Sequence, residues 1–375
     1  MIRQKGKRKS QKNYFCLLPF SFYPPSVPRP YHETLKYSFK RFSVLSALGT
    51  ALPSTLYYLR RPALPASQKP ALFTMNILPP LFTVWQHFAK RAIGDRADIV
   101  VFDCSGKLKS KDYSGVFVQK FVNLYAAEKC DEFLYSIARN RKIGWICDDD
   151  IFFLKGEVVD HVLRAFEDPN TASVSLRPRG WWEFEINGKR YPASSSYCTA
   201  INRKIFCDKE HLSLTPVQGN THPAVSDRPP KSYDTFDKAN EILLTKGYRC
   251  AVLPETVQNE CITGFHGVSN GVMLLNYFTK PEQMLDFLLS PPKKQWAGSV
   301  LFTVFGALLA IDVVQDLAEK ITGKRYPLPA LPSKKDLEKI RKEHEPLLRE
   351  GMSWRGIDEA AEKLQSALSA PLTAH

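Results

Sequence analysis

Three consecutive carboxylates, Asp148-Asp149-Asp150, close an apolar run from Lys142 to Cys147 that reads as a buried strand. Ligands of open α/β sheets bind beyond the carboxyl ends of the strands, so acids placed there would face a binding crevice. Like charges this close repel, and their coexistence calls for a cation, a raised pKa or strong solvation. Alternation along an extended chain would send Asp148 and Asp150 to one side and Asp149 to the other. Two carboxylates on one side suit a hard cation, Mn²⁺ or Mg²⁺, that completes its shell with water and phosphate oxygens. The competing use of the triplet is an acidic turn that caps the next helix, and spacing alone leaves both open.

Such acids need a frame that gathers strand ends, and the flanking sequence predicts one. Ala71 to Leu78 is an apolar strand candidate closed by Pro79-Pro80, followed by apolar residues at helical spacing from Leu81 to Ile93. Asp98 to Phe102 is a β-branched run typical of a buried parallel strand, and it stops at the polar turn Asp103-Cys104-Ser105-Gly106. Strands over Val116–Val122 and Ala172–Leu176 alternate with helices over Ala126–Asn140 and Val158–Phe166. Asn187-Gly188 between Glu183–Ile186 and Lys189–Tyr191 is a hairpin signal. A helix over Asp234–Lys246 and a strand over Arg249–Leu253 follow, and beyond Pro291-Pro292 the chain turns helical, with Lys334–Arg349 and Trp354–Ser369 as its last segments. The alternation predicts an α/β fold: an open mixed sheet flanked by helices, with helical N- and C-terminal extensions.

The acidic triplet after Ile143-Gly144-Trp145-Ile146, followed by Ile151-Phe152-Phe153, resembles the aliphatic run and DxD signature of GT-A glycosyltransferases, particularly family 2. Three more segments agree in order. Val100 to Gly106 looks like the second strand of that family. Ser196 to Arg203 resembles the stretch that shapes the acceptor side. Asp234 to Asp237 with Leu244 to Tyr248, then Gly264-Phe265-His266-Gly267-Val268-Ser269, looks like the closing helix, strand and HGxS element. The resemblance covers roughly residues 70–275 and divides the chain into a basic, proline-rich leader with a helical extension (1–69), a GT-A-type catalytic domain (70–275) and a helical extension (276–375).

Carried over, the resemblance implies that Asp103, with Ser105 beside it, contacts the nucleoside, that Asp148 supports the ribose or the metal, and that Asp150 binds the metal. His266 becomes a third metal ligand; the alternative is a histidine satisfied by backbone in a glycine-flanked turn. The reaction implied is sugar transfer from a UDP-, GDP- or dTDP-sugar to a glycan, lipid-linked or small-molecule acceptor, with inversion. A divalent cation stabilises the departing diphosphate, and a carboxylate takes the acceptor's proton. Asp234 is the first candidate for that base and Asp237 the second, although both also fit a helix N-cap and first turn, and the usual Glu-Asp pair is absent there. Glu183, Glu185 and Trp181-Trp182 could touch sugar and equally fit a plain hairpin; Arg177 and Arg179 could clasp diphosphate and equally fit solvated positions. Two other readings stand beside this one. A nucleotidyltransferase would carry a glycine- and arginine-rich loop after the first strand, and Met75 to Pro80 has none. The other is a non-catalytic, membrane-associated interaction protein on a degenerate transferase fold.

Composition bounds the rest. The 375 residues are 44% hydrophobic and 24% charged, which excludes wholesale disorder. Of the net charge of +14, six cations fall in the first dozen residues without an acid among them, a solvated tail that could also touch anionic lipid; no specific nucleic-acid partner is expected. Eight cysteines without a CxxC pair argue against a zinc site or a disulfide framework and for buried free thiols. The uncharged stretches Phe42–Tyr58 and Ala297–Ile311 fall short of roughly 20 residues for a bilayer span. The expected location is the cytoplasm, with peripheral contact at the inner face of a membrane as the variant.

Overall fold

The computed structural model describes residue 55 and residues 57–120, 126–179, 183–215, 233–290, 296 and 299–370. In chain order the strands are β1 (Ala71–Asn76), β2 (Asp98–Asp103), β3 (Val116–Lys120), β4 (Ile143–Cys147), β5 (Ile151–Phe153), β6 (Thr171–Ser175), β7 (Glu183–Ile186), β8 (Lys189–Pro192), β9 (Cys198–Asn202), β10 (Arg249–Val252) and β11 (Ile262–Gly264). The helices are α1 (Pro79–Ile93), α2 (Ala126–Glu132), α3 (Glu157–Ala165), α4 (Asp237–Thr245), α5 (Glu255–Cys261), α6 (Val268–Tyr277), α7 (Pro281–Leu289), α8 (Ser299–Thr322), α9 (Lys334–His344) and α10 (Arg355–Ser369).

Seven strands form one sheet in the order β10-β6-β9-β4-β1-β2-β3. The pairs are parallel except where β9 runs against β4 and β6. This is the open mixed α/β sheet flanked by helices that the sequence predicts. The strands are apolar throughout because both faces are covered, and alternate side chains go to opposite cores. Leu72, Ile99, Val101 and Trp145 join one buried cluster, with α1, α3 and part of α8. Phe73, Val100, Phe102 and Ile146 join the other, with α2 and α4.

Two small antiparallel ribbons stand apart from the main sheet. β7 and β8 pair around Asn187-Gly188, both at positive φ, as the hairpin signal requires. β5 pairs with β11, so a late segment returns to the strand that leaves the acidic turn.

The helical segment after residue 276 does not stand alone. Ile311, Val314 and Leu317 of α8 belong to the same core cluster as β1 and β4, while Trp296, Phe305, Trp354, Leu337 and Ile340 build a third core among α6 to α10. Leu301–Thr322 is long and apolar enough to cross a membrane, and most of it is buried inside the protein. The Phe42–Tyr58 stretch and the basic leader lie largely outside the described residues. The seven described cysteines are buried and free.

Candidate active site

The sheet reverses its winding between β1 and β4: β2 and β3 lie to one side of β1, and β4 and its neighbours to the other. A crevice must open at that point, because the connections leave in opposite directions. The acidic triplet sits there. The Asp148 N–H donates to the Tyr197 carbonyl at 2.8 Å, prolonging the β4–β9 ladder, and its own carbonyl accepts from the Ile151 N–H at 3.2 Å. The triplet is therefore a tight turn into β5. Simple alternation of Asp148 and Asp150 against Asp149 does not hold, because alternation needs extended backbone.

Each of the three acids faces a different neighbour. Asp149 Oδ2 accepts from the Ile77 N–H at 3.4 Å, joining the end of β4 to the end of β1. Asp150 lies near the start of α6, where the backbone N–H groups of Val268 and Gly267 and the helix dipole favour its charged form. Asp148 faces the charge of Arg179. Burial, followed by the charge of its neighbours, raises the pKa of Asp148 and Asp149 well above the ordinary range; burial lifts Asp150 to about 6 against the pull of its N–H donors and Arg177. Three partly enclosed carboxylates with no salt bridge among the described residues fit the charge preference of a hard divalent cation. Among the described residues no three His, Cys, Asp or Glu side chains converge to hold a metal, so at most two protein carboxylates are available and other oxygens must complete a shell.

Asp103 is not placed to read a nucleoside. Its side chain is fully buried, with Oδ1 accepting from Asn76 Nδ2 (2.8 Å), Ser105 Oγ (2.7 Å) and the N–H groups of Ser105 and Gly106 (both 3.1 Å). Oδ2 accepts from the Leu108 N–H at 2.9 Å. Ser105 Oγ in turn accepts from Asn76 Nδ2 and the Lys107 N–H. The pair shapes the loop after β2 and leaves the exposed Gly106 and Lys107 toward solvent. A carboxylate with five internal donors has no capacity left for a ligand.

His266 is exposed on the loop between β11 and α6, and its Nε2 lies 2.6 Å from Arg177 Nη2. A guanidinium only donates, so Nε2 accepts and the ring is neutral. Part of its surface is open to solvent, yet the ring is crowded by protein, and this partial burial first, and then Arg177, lower its pKa to about 4. With Nε2 turned to Arg177, the third-ligand role expected for His266 gives way to that hydrogen bond.

Asp237 begins α4 and is fully buried. Its Oδ1 accepts from Arg179 Nε at 2.9 Å, and its Oδ2 from the Asp234 N–H at 2.7 Å. No acceptor hydroxyl could reach it. Asp234 is different: its side chain is 41% exposed, with Oδ2 3.0 Å from Arg179 Nη1 and Oδ1 accepting from the Thr235 N–H. Of the two sequence candidates, only Asp234 offers a carboxylate to solvent.

Sequence reasoning offered Arg179 only as a diphosphate clasp or a solvated side chain, and it missed Lys129. Arg179 is buried, spans Asp234, Asp237 and the Thr235 carbonyl, and lies 5.7 Å from the Tyr197 ring. Lys129, 7% exposed on α2, points its Nζ at Cys104 Sγ (3.0 Å) and places positive charge near Asp149. Its only signal was a lysine in a helix that otherwise packs on the sheet. Glu183 and Glu185 point outward from β7 while Phe184 and Ile186 point inward, an ordinary strand pattern. Trp181 and Trp182 lie outside the described residues.

Beside the crevice, between β11 and helices α8 and α10, is a cavity of about 370 Å³ whose walls include Arg177, His266, Phe302, Trp354 and Lys363.

No protein-family model matches the sequence, and no curated protein matches it either. Among solved structures, a mannosyltransferase from Pyrobaculum calidifontis in complex with GDP-Man and Mn²⁺ aligns over 88% of this chain and 97% of its own, with 12% identity and a TM-score of 0.37. A 4-diphosphocytidyl-2C-methyl-D-erythritol synthase from Anaerococcus prevotii aligns over 50% of this chain and 88% of its own, with 8% identity and a TM-score of 0.32. Likenesses this loose transfer no residue's role.

Proposed function

We propose that the chain is a divalent-metal-dependent glycosyltransferase that takes a nucleotide-sugar donor in the crevice between β1 and β4. The observation that carries the reading is the acidic turn at the switch point, where Asp149 is bonded to the end of β1 and Asp148 and Asp150 line the end of β4. Asp148 and Asp150 would hold Mn²⁺ or Mg²⁺; when bound, such an ion stabilises negative charge on a leaving diphosphate.

The chain's own groups supply the rest. The exposed loop at Gly106 and Lys107 follows β2, next to β1 in the sheet, and would border the donor crevice. Arg179 Nη1 donates to Asp234 Oδ2 at 3.0 Å and fixes the direction of a carboxylate that would serve as general base. Asp237 positions Arg179 and does not meet the substrate. Asp234 is the base we assign, and inversion is the outcome that such a base supports. Donor identity among UDP-, GDP- and dTDP-sugars is left to experiment.

Thermal shift with Mn²⁺ plus UDP or GDP tests the reading. The pair should stabilise the protein by ~2–4 kcal/mol near saturation, more than either component alone. Asp150→Asn should abolish the added effect while the unliganded protein stays folded. A donor screen then follows nucleoside diphosphate release; release of pyrophosphate instead would make the same turn a nucleotidyltransferase site. No stabilisation with any nucleotide would sink both readings.

A further inference from the structure

The cavity beside the crevice joins two parts of the chain. One wall comes from the β11–α6 loop with Arg177, the other from α8 and α10 of the C-terminal segment. At about 370 Å³ it falls within the range that accommodates a small organic ligand.

Its chemistry is divided. On the apolar side Phe302, Trp354 and Ile357 form the wall, and Gly306 keeps it open, since a Cβ there would meet Trp354 Cδ1 at 3.3 Å. The Trp354 indole N–H is already donated to the Phe302 carbonyl at 3.0 Å and its ring is 1% exposed, so it backs the wall behind the partly exposed Phe302 and Ile357. On the polar side stand two cationic side chains, Arg177 and Lys363, beside the neutral His266 ring. Arg177 forms no salt bridge among the described residues, and its hydrogen-bonding partner is the neutral ring of His266. Lys363 Nζ donates to the Asn259 carbonyl at 3.2 Å. The one acid in the wall, Glu359, is bonded to Arg355 at 3.0 Å. A guanidinium held against a neutral acceptor keeps its full charge and its planar donor fork, which matches phosphate or carboxylate. That charge also reaches Asp150, so the cationic end of the cavity adjoins the acidic turn.

We propose that this cavity is the acceptor site and that it takes an amphipathic anion, with its charged group at Arg177 and its apolar body between α8 and α10. The assignment of the occupant as acceptor rests on the transferase reading; the binding itself does not. A neutral glycan would leave Arg177 without an anion, and inorganic phosphate would leave the partly exposed Phe302 and Ile357 surface uncovered.

Calorimetric titration of the full chain with octyl phosphate, inorganic phosphate and octyl glucoside, without nucleotide or metal and below micelle formation, tests this. Octyl phosphate should bind at least tenfold more tightly than either of the others. Arg177→Gln should weaken it about tenfold or more, the loss of a charge-assisted contact, without changing octyl glucoside. Lys363→Glu, an exposed change that leaves the core intact, should weaken it in the same direction. Equal binding of octyl phosphate and octyl glucoside, or undiminished binding in both variants, overturns the proposal; so does tight binding of inorganic phosphate alone. In the donor assay a phosphate oxygen of octyl phosphate would bond to the anomeric carbon as the bond to the nucleoside diphosphate breaks, proton removal by Asp234 being needed only for a hydroxyl acceptor. Octyl phosphate should raise diphosphate release by the wild type and not by Arg177→Gln, and binding without any effect on release overturns the acceptor assignment. Loss of the nucleotide–Mn²⁺ response with octyl phosphate binding retained would refute the transferase reading and leave the amphiphile site standing.

Discussion

Arg179 offers the sharpest test of how the candidate base is held. Its guanidinium gives Nε to Asp237 (2.9 Å), Nη1 to Asp234 (3.0 Å) and Nη2 to the Thr235 carbonyl (2.8 Å), and its side chain is 1% exposed. Arg179→Met preserves most of the volume and removes every donor. Asp237, fully buried, would then lose the guanidinium charge that stands 2.9 Å from its Oδ1. Removing one partner of a buried ion pair costs ~3–5 kcal/mol, because the remaining charge is stranded. In a chain of this size that lowers the melting temperature by on the order of 10 °C. Urea denaturation of Arg179→Met, Asp237→Leu and the double variant measures it. The double variant should be less destabilised than the sum of the singles by ~2 kcal/mol, since it strands no charge. A single-variant cost below ~1 kcal/mol, or strict additivity, would refute the argument that this pair clamps the start of α4. Asp234 Oδ2 would also lose its donor, so any transferase activity should fall in kcat even where the protein remains folded.

His266 is held neutral, its pKa lowered from 6.5 to about 4 by burial and by Arg177. The unfolded chain therefore binds the proton more readily: this contribution to stability is complete above about 6.5 and is lost as pH falls toward about 4. His266→Gln, which still accepts a hydrogen bond and cannot titrate, should flatten the stability profile across that window; an unchanged slope would reject the pairing. At Gly264 an added Cβ would lie 2.4 Å from the Asp150 carbonyl and 3.0 Å from Ile151 Cα, both backbone. Gly264→Ala should therefore cost ~1–3 kcal/mol by pushing β11 from β5, and it should weaken the metal–nucleotide thermal shift. Full retention of both would mean that the ribbon does not position the acidic turn.

Much of the architecture was legible in the chain itself. Runs such as Ile99-Val100-Val101-Phe102 and Ile143 to Cys147 are apolar at every position because both faces of the sheet are covered, and apolar continuity is visible without coordinates. The hairpin at Asn187-Gly188 was equally plain, since a two-residue turn with positive φ demands those residue types. The acidic triplet marked a candidate site through residue type alone.

What each carboxylate does was decided elsewhere. Asp103 has the same side chain as Asp150, and its five donors come from Asn76, Ser105, Gly106 and Leu108, arranged by the fold of one loop. Asp234 and Asp237 are three residues apart, yet one is 41% exposed and the other fully enclosed, because Arg179 arrives from 55 or more residues away. His266 meets Arg177 across 89 residues, and the cavity beside them exists only when α8 and α10 pack back against β11. Side-chain type and periodicity are local properties and can be read along a chain. Desolvation, partner choice and cavity shape depend on which distant segments meet, and only the folded arrangement determines them.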